Sequence, residues 1–221
     1  MAASKYPEYD PLFYKDGYQL GIKAGSEPLN EKLLWEALET MYRSVDQLIE
    51  SLLALGKRQG VKVDCRAGCS WCCYQPVFAN TYEIGYLARY IRKNFNGKQQ
   101  QKIYRRAMGK NSRLSGMKEE ELLYSKHACP LLDKDSCSAY PARPMACRIY
   151  LSIHKDSCHR FYRDPENTES KPELLDFPLQ AGRIMNEGFF AALKETGLAS
   201  SELRLEEGLI FFMDPGRFRD P

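Results

Sequence analysis

The distribution of cysteine constrains this chain most, because its eight cysteines fall into two closely spaced groups. The first group occupies residues 65–73 and the second occupies residues 129–158. Thiolate ligands separated by two or three residues can wrap around one ion or cluster, as they do in zinc and iron–sulfur sites. Two such groups therefore predict a metal site assembled from two distant segments, in which the metal contributes folding energy.

Seven of the cysteines are the candidate metal ligands, and the first four of them are also the candidate ligands of an iron–sulfur cofactor. They are Cys65, Cys69, Cys72, Cys73, Cys129, Cys137 and Cys147. A single free thiol is commonly a buried apolar residue, whereas four in one short segment favour metal binding. Soft thiolates suit zinc and iron alike, so the spacing leaves zinc and an iron–sulfur cluster, a 4Fe–4S cluster if iron, both open.

Two features of the cysteines leave the number of centres open. Adjacent side chains diverge by about 100° on a helix and point to opposite faces on a strand. Cys72 and Cys73 therefore either divide into one ligand and one packed thiol, or belong to two centres. Cys158 is the eighth cysteine, and the pattern assigns it no role.

The sequence shows no export signal and no membrane span. The first ten residues lack the apolar run of a secretory signal. The longest apolar run, residues 209–213, is far shorter than the roughly 20 residues that cross a bilayer. We therefore expect a soluble cytoplasmic protein without a membrane partner, and a reducing compartment keeps thiols free to bind metal.

Hydrophobic periodicity predicts the main helices. Apolar residues recur at steps of four and three from Leu34 to Leu55, which predicts a helix that begins after Asn30 and ends near Gly56 or Gly60. A second helix is predicted from Asn80 to Gly97, with Asn80 and Glu83 at the spacing of a capping box. Further helices are predicted over residues 98–108, 118–124, 179–196 and 201–213.

These patterns predict a mainly α fold, namely a single compact helical domain with irregular loops pinned by metal. Residues 1–28 are rich in Tyr, Pro and Gly and are predicted to form an irregular N-terminal arm, followed by one domain over residues 29–221. The cysteine-cluster region occupies residues 61–160, where prolines interrupt any long element. A small hairpin is expected near the second cysteine group.

The order of motifs around the cysteines resembles that of the YkgJ-type cysteine-cluster family, which is recognised by a C-x2-C-x2-C-C pattern. The resemblance covers about residues 61–151. It rests on Cys65 to Cys73, Glu83 at a helix start, Cys129-Pro-Leu-Leu, Cys137 followed by Tyr140, and Arg143-Pro144 before Cys147-Arg148-Ile149-Tyr150. The resemblance implies a zinc- or iron-chelating domain without an assigned reaction. The first gap has three residues here instead of two, and Cys158 has no counterpart in the pattern.

Two enzyme alternatives share the cysteine region. A flagellin lysine-N-methylase is similar through the same cysteines, where the implied cofactor is an iron–sulfur cluster, but no Gly-rich turn for S-adenosylmethionine is present. The spacing of Cys65, Cys69 and Cys72, with Trp71 between the last two, also fits the radical S-adenosylmethionine pattern, whose members resemble βα barrels. Outside the cysteines, the sequence has no catalytic motif such as a P-loop or Gly-x-Ser-x-Gly.

A basic stretch offers a third alternative, a module that binds an anionic partner such as nucleic acid. Residues 89–118 contain ten Lys and Arg and no Asp or Glu. Such a stretch can attract a phosphate backbone. The opposing interpretation is a solvated helix face whose charges are balanced by acidic segments elsewhere. The three histidines, His127, His154 and His159, are predicted to support or flank the site, since thiols are in excess.

Overall fold

The computed structural model describes residues 4–25, 30–66, 68–198, 200–214 and 216. Within these ranges the prediction of a mainly α fold is confirmed, with nine α-helices and only two-stranded sheets. None of the described helices has both the length and the apolar composition needed to cross a lipid bilayer. The chain divides into two compact units: Met1–Asp64, Arg148–Ile153 and Leu174–Ser201 form the first, and Cys65–Cys147, His154–Glu173 and Glu202–Pro221 form the second.

The elements are numbered in chain order. The helices are α1 (Asp10–Ala24), α2 (Glu31–Arg58), α3 (Thr81–Asn94), α4 (Gly97–Leu114), α5 (Glu119–Tyr124), α6 (Met145–Arg148), α7 (Lys155–Arg163), α8 (Asp176–Glu195) and α9 (Leu205–Met213). The strands are β1 (Phe78–Asn80), β2 (Leu132–Asp133), β3 (Ser136–Cys137) and β4 (Glu202–Arg204). Short 3-10 helices occupy Trp71–Tyr74, Tyr140–Ala142 and Thr168–Ser170.

Helix α1 lies where the sequence predicted an irregular arm, so that prediction is wrong for residues 10–24. Its glycines are poor helix formers in isolation, but they let α1 pack directly against α8 in the first unit. A Cβ atom at Gly17 would lie 1.9 Å from the carbonyl oxygen of Met185, and one at Gly188 would lie 2.1 Å from that of Tyr14. Helix α1 is therefore stabilised by tertiary packing, which its own periodicity does not reveal.

Helix α2 begins at the predicted position and contributes an apolar face to the core of the first unit. The Asn30 side chain caps it by accepting a hydrogen bond from the Lys32 amide at 2.9 Å. The predicted apolar stripe is buried from Leu34 to Val45, and its next member, Leu48, is half-buried. Beyond that point the stripe emerges from the core, and Leu55 is 44% exposed.

The core of the second unit is formed by α3, α4 and α9. Helix α9 packs closely on α3 because Gly208 has no side chain: a Cβ atom there would lie 2.4 Å from Cδ1 of Ile84. Strands β1 and β4 pair antiparallel, with Phe78 opposite Arg204. The helix predicted over residues 201–213 is therefore wrong at its start, since residues 202–204 are a strand.

The second cysteine group includes the predicted hairpin. Strands β2 and β3 pair antiparallel, with Leu132 opposite Cys137. Lys134 and Asp135 connect them with φ angles of 47° and 58°, the left-handed conformation that two-residue hairpin turns require. The sequence predicted irregular loops around Cys158, whereas this residue lies on helix α7.

Candidate metal centre

The two cysteine groups meet at the 3-10 helix Trp71–Tyr74, which carries Cys72 and Cys73. The Cys129 amide donates a hydrogen bond to the Cys73 carbonyl oxygen at 2.7 Å. Two residues earlier, the His127 amide donates to the Tyr74 carbonyl oxygen at 2.9 Å. The chain that enters the second cysteine group therefore runs directly beside the end of the first.

A buried carboxylate ties the start of α3 to the turn that carries Cys147. Glu83 is only 2% exposed, and its Oε2 accepts a hydrogen bond from the Asn80 amide at 3.2 Å, as the predicted capping box requires. Its Oε1 accepts a second hydrogen bond from the Met145 amide at 2.7 Å. Met145 begins α6, so Glu83 fixes the position from which Cys147 follows one turn later.

Five thiols lie close enough to change one another's pKa, namely Cys72, Cys73, Cys129, Cys137 and Cys147. A side-chain hydrogen bond between Cys72 and Cys73 lowers the pKa of Cys72 to about 7 and raises that of Cys73. Burial raises the pKa of Cys129 to about 11. Burial also raises the pKa of Cys147, and three of the other thiols raise it further.

The chemistry of this donor set suits a soft metal ion. Removing protons from several enclosed thiols places like charges together, and a cation at the same place offsets that repulsion. In the part of the chain that the structure describes, no three His, Cys, Asp or Glu side chains are already arranged as a set of metal ligands. The thiols therefore converge on one region without a preformed coordination geometry.

The remaining cysteines lie at less central positions. Cys65 and Cys69 are half-buried in the loop before the 3-10 helix, and the Cys69 amide donates to the Arg66 carbonyl oxygen at 3.0 Å. Their role as ligands stays a prediction. Cys158 is buried on α7, at 4% exposure.

One arginine places positive charge at the thiols. The Arg143 guanidinium stacks on the Tyr140 ring at 3.8 Å and lowers the pKa of Cys72. Arg148 follows Cys147 in the chain, but its buried guanidinium pairs with Asp46 and lies over the Tyr42 ring at 4.2 Å.

The histidines take supporting positions. The His159 ring lies 4.5 Å from the Trp71 ring, between centroids, and packs α7 on the 3-10 helix. His154 is exposed, with Nε2 3.8 Å from a Glu173 oxygen. This aromatic packing beside Cys72 was not predicted, because its partners are far apart in the sequence.

Two of the alternatives gain no structural support. Part of the basic stretch is balanced within the chain, since Lys102 and Arg106 pair with Asp133 at 3.0 and 3.8 Å, and Lys110 pairs with Glu206 at 3.5 Å. The barrel typical of radical S-adenosylmethionine proteins is not found within the described ranges, where the sheets have two strands each.

Comparison with known proteins identifies one family. Residues 64–172, about half of the chain, match the sequence model of the CxxCxxCC family, which is described as "Putative zinc- or iron-chelating domain". The match confirms the resemblance that the cysteine pattern predicted. No curated protein and no solved structure matches the chain.

Proposed function

We propose that this protein binds zinc or an iron–sulfur centre through clustered thiolates. Residues 64–172 match the sequence model of the CxxCxxCC family, which supports the proposal. The observation that carries the proposal is the hydrogen bond from the Cys129 amide to the Cys73 carbonyl oxygen, which brings the two cysteine groups together. Sulfur ligands from two distant segments are what a metal needs in order to stabilise the fold.

The ligands divide into a central set and a completing set. Cys72, Cys73, Cys129, Cys137 and Cys147 form the central set because the pKa of each is shifted by at least one of the others. Cys65 and Cys69 would complete the coordination from the preceding loop. Seven thiols exceed the four that one zinc ion or one cluster takes, so either two centres form or some thiols remain unbound.

The charge of a neighbouring arginine supports metal binding at the thiols. Arg143 offsets part of the negative charge of the clustered thiolates, because an all-cysteine site carries more negative charge than its ion neutralises. When bound, the metal would link the segments before α3 and after α5. A reducing compartment such as the cytoplasm would keep these thiols able to bind metal.

Metal analysis of protein purified without oxygen tests the proposal and separates the two metals. Iron with inorganic sulfide, together with broad visible absorption from a thiolate-held cluster, would identify an iron–sulfur centre. Colourless protein with stoichiometric zinc would identify a zinc site. Protein that binds neither metal in stoichiometric amount would refute the proposal.

A serine substitution tests the loop ligands. We expect Cys69→Ser to abolish stoichiometric metal, because a hydroxyl is a poor ligand for a soft ion. Cys158→Ala is the matched control and should retain the metal of the wild type, since its thiol is buried on α7 outside the central set. Full metal content in Cys69→Ser would show that this residue is not a ligand.

A further inference from the structure

A cleft of about 610 Å³ lies in the second unit, where the first half of α4 meets the end of α9. Its volume falls within the range of roughly 300–1,000 Å³ that is usual for small-molecule sites. Tyr104 of α4 and Phe212 of α9 supply half-buried aromatic side chains to its wall. None of the proposed metal ligands is among the described residues that line it, so the metal centre does not account for the cleft.

Two cationic side chains also line the cleft. The Nη1 atom of Arg92 donates a hydrogen bond to the Phe212 carbonyl oxygen at 2.9 Å, which holds the guanidinium in place. Lys98 is exposed on the first turn of α4, and its ammonium has no partner within the described ranges. Among the described lining residues Asp214 is the one acid, and its Oδ1 accepts a hydrogen bond from the Gly216 amide at 2.8 Å. This lining therefore carries two positive charges and one negative charge.

The sequence around these cations favours an anionic ligand. Residues 89–118, which include all of α4, contain no Asp or Glu. Further along α4, Lys102 and Arg106 pair with Asp133, whereas Lys98 pairs with no described carboxylate. A positive potential therefore remains at the start of α4, and the walls of a cleft concentrate such a potential.

We propose that this cleft binds a nucleoside 5′-phosphate, whose phosphate group contacts Arg92 and Lys98. A phosphate monoester carries a charge of about −1.5 to −2 near pH 7, which suits two cations better than a single carboxylate does. Arg binds phosphate oxygens in bidentate fashion, and Lys binds them as a point charge. The base would stack on Tyr104 or Phe212, with little preference among bases, because every base has a π face. The same group occurs on a free nucleotide and at the 5′ end of a nucleic-acid strand.

Calorimetric titration of adenosine 5′-monophosphate (AMP) into the purified protein tests the proposal. We expect a dissociation constant below about 1 mM, and adenosine, which lacks the phosphate, should bind at least about tenfold more weakly. Lys98→Gln should weaken AMP binding about tenfold, the effect of losing one charge-assisted hydrogen bond. Because Lys98 is exposed and has no described partner, this variant should keep the fold. Tyr104→Leu keeps an apolar side chain but removes the stacking surface, and it should also weaken AMP binding about tenfold.

Lys93→Gln is the matched control, since it removes the same charge from an exposed position on α3 that is not part of the lining. It should change the AMP affinity less than about twofold. Equal binding of AMP and adenosine, or an unchanged AMP affinity in Lys98→Gln, would overturn the inference, as would AMP binding too weak to detect.

Single strands of about ten nucleotides, with and without a 5′ phosphate, identify the source of the ligand. A phosphorylated strand that binds more tightly than AMP, and loses affinity in Lys98→Gln, would support the end of a strand. A phosphorylated strand that binds no better than AMP would support a free nucleotide. The result does not depend on the metal analysis, because the described lining contains no thiol.

Discussion

Replacing Glu83 with alanine tests how the fold fixes the turn that carries Cys147. The buried Glu83 carboxylate accepts hydrogen bonds from the Asn80 and Met145 amides at 3.2 and 2.7 Å. Alanine removes both acceptors and leaves two backbone donors without them. We therefore expect Glu83→Ala to loosen the α3 cap and the start of α6 at the same time.

The expected loss is large for a single substitution. A hydrogen bond to a charged group contributes about 1.5–3 kcal/mol, so losing two should lower the free energy of unfolding by about 3–6 kcal/mol. With a urea dependence of about 2 kcal/mol per molar, the midpoint should fall by roughly 2 M. Glu83→Gln keeps one acceptor oxygen and should lose about half as much. Urea unfolding of the metal-free protein, followed by circular dichroism, measures both variants.

Glu121→Ala is the matched control for this prediction. Glu121 holds the same capping position on α5, where its Oε2 accepts a hydrogen bond from the Lys118 amide at 2.9 Å. That hydrogen bond is exposed and local, so its loss should cost about 1 kcal/mol or less. Equal losses in Glu83→Ala and Glu121→Ala would refute the reasoning, since they would show that the contact to Met145 contributes nothing.

Two further predictions concern the first unit and the thiols. Gly17→Ala should lower the free energy of unfolding by about 1–3 kcal/mol, because its Cβ atom would lie 1.9 Å from a carbonyl oxygen of α8. Thermal unfolding measures this loss. The control is Gly97→Ala, whose Cβ atom would meet nothing within 4 Å and which should lose no stability. The pKa of Cys129 is raised to about 11 and those of Cys137 and Cys147 are also raised, so these thiols are protonated at neutral pH without metal and must release protons to bind it. Apparent zinc affinity should therefore rise with pH, by a factor of about ten per pH unit for each proton released, and an affinity independent of pH between 6 and 8 would contradict the ligand assignment.

Local patterns in the sequence predict the elements that depend on near neighbours. Asn30 caps α2 through the Lys32 amide, and Asn80 and Glu83 form the capping box of α3, as their spacing indicates. The small hairpin that includes Cys137 forms near the second cysteine group, where the sequence predicted one. In each case the contact that stabilises the element joins residues that lie close together in the sequence pattern that predicted it.

Contacts between distant residues account for what the sequence did not predict. Helix α1 depends on the close approach of Gly17 to α8, and strand β4 exists because residues 202–204 find a partner at β1. The second hydrogen bond of Glu83 reaches Met145, 62 residues away. The spacing of the cysteines predicts that the two groups meet, but it does not predict which distant residues hold them together.

Cys72 and Cys73 are adjacent in a segment that both supplies thiols and joins the two cysteine groups. Successive side chains in a 3-10 helix diverge by about 120°, so the two sulfurs do not point the same way from the backbone. Cys73 already joins the two cysteine groups through its carbonyl oxygen, whether or not its sulfur binds metal. The hydrogen bond between the two thiols lowers the pKa of one and raises that of the other. The divergence of the two side chains agrees with both interpretations that the sequence left open, one ligand beside one packed thiol or a pair shared between two centres.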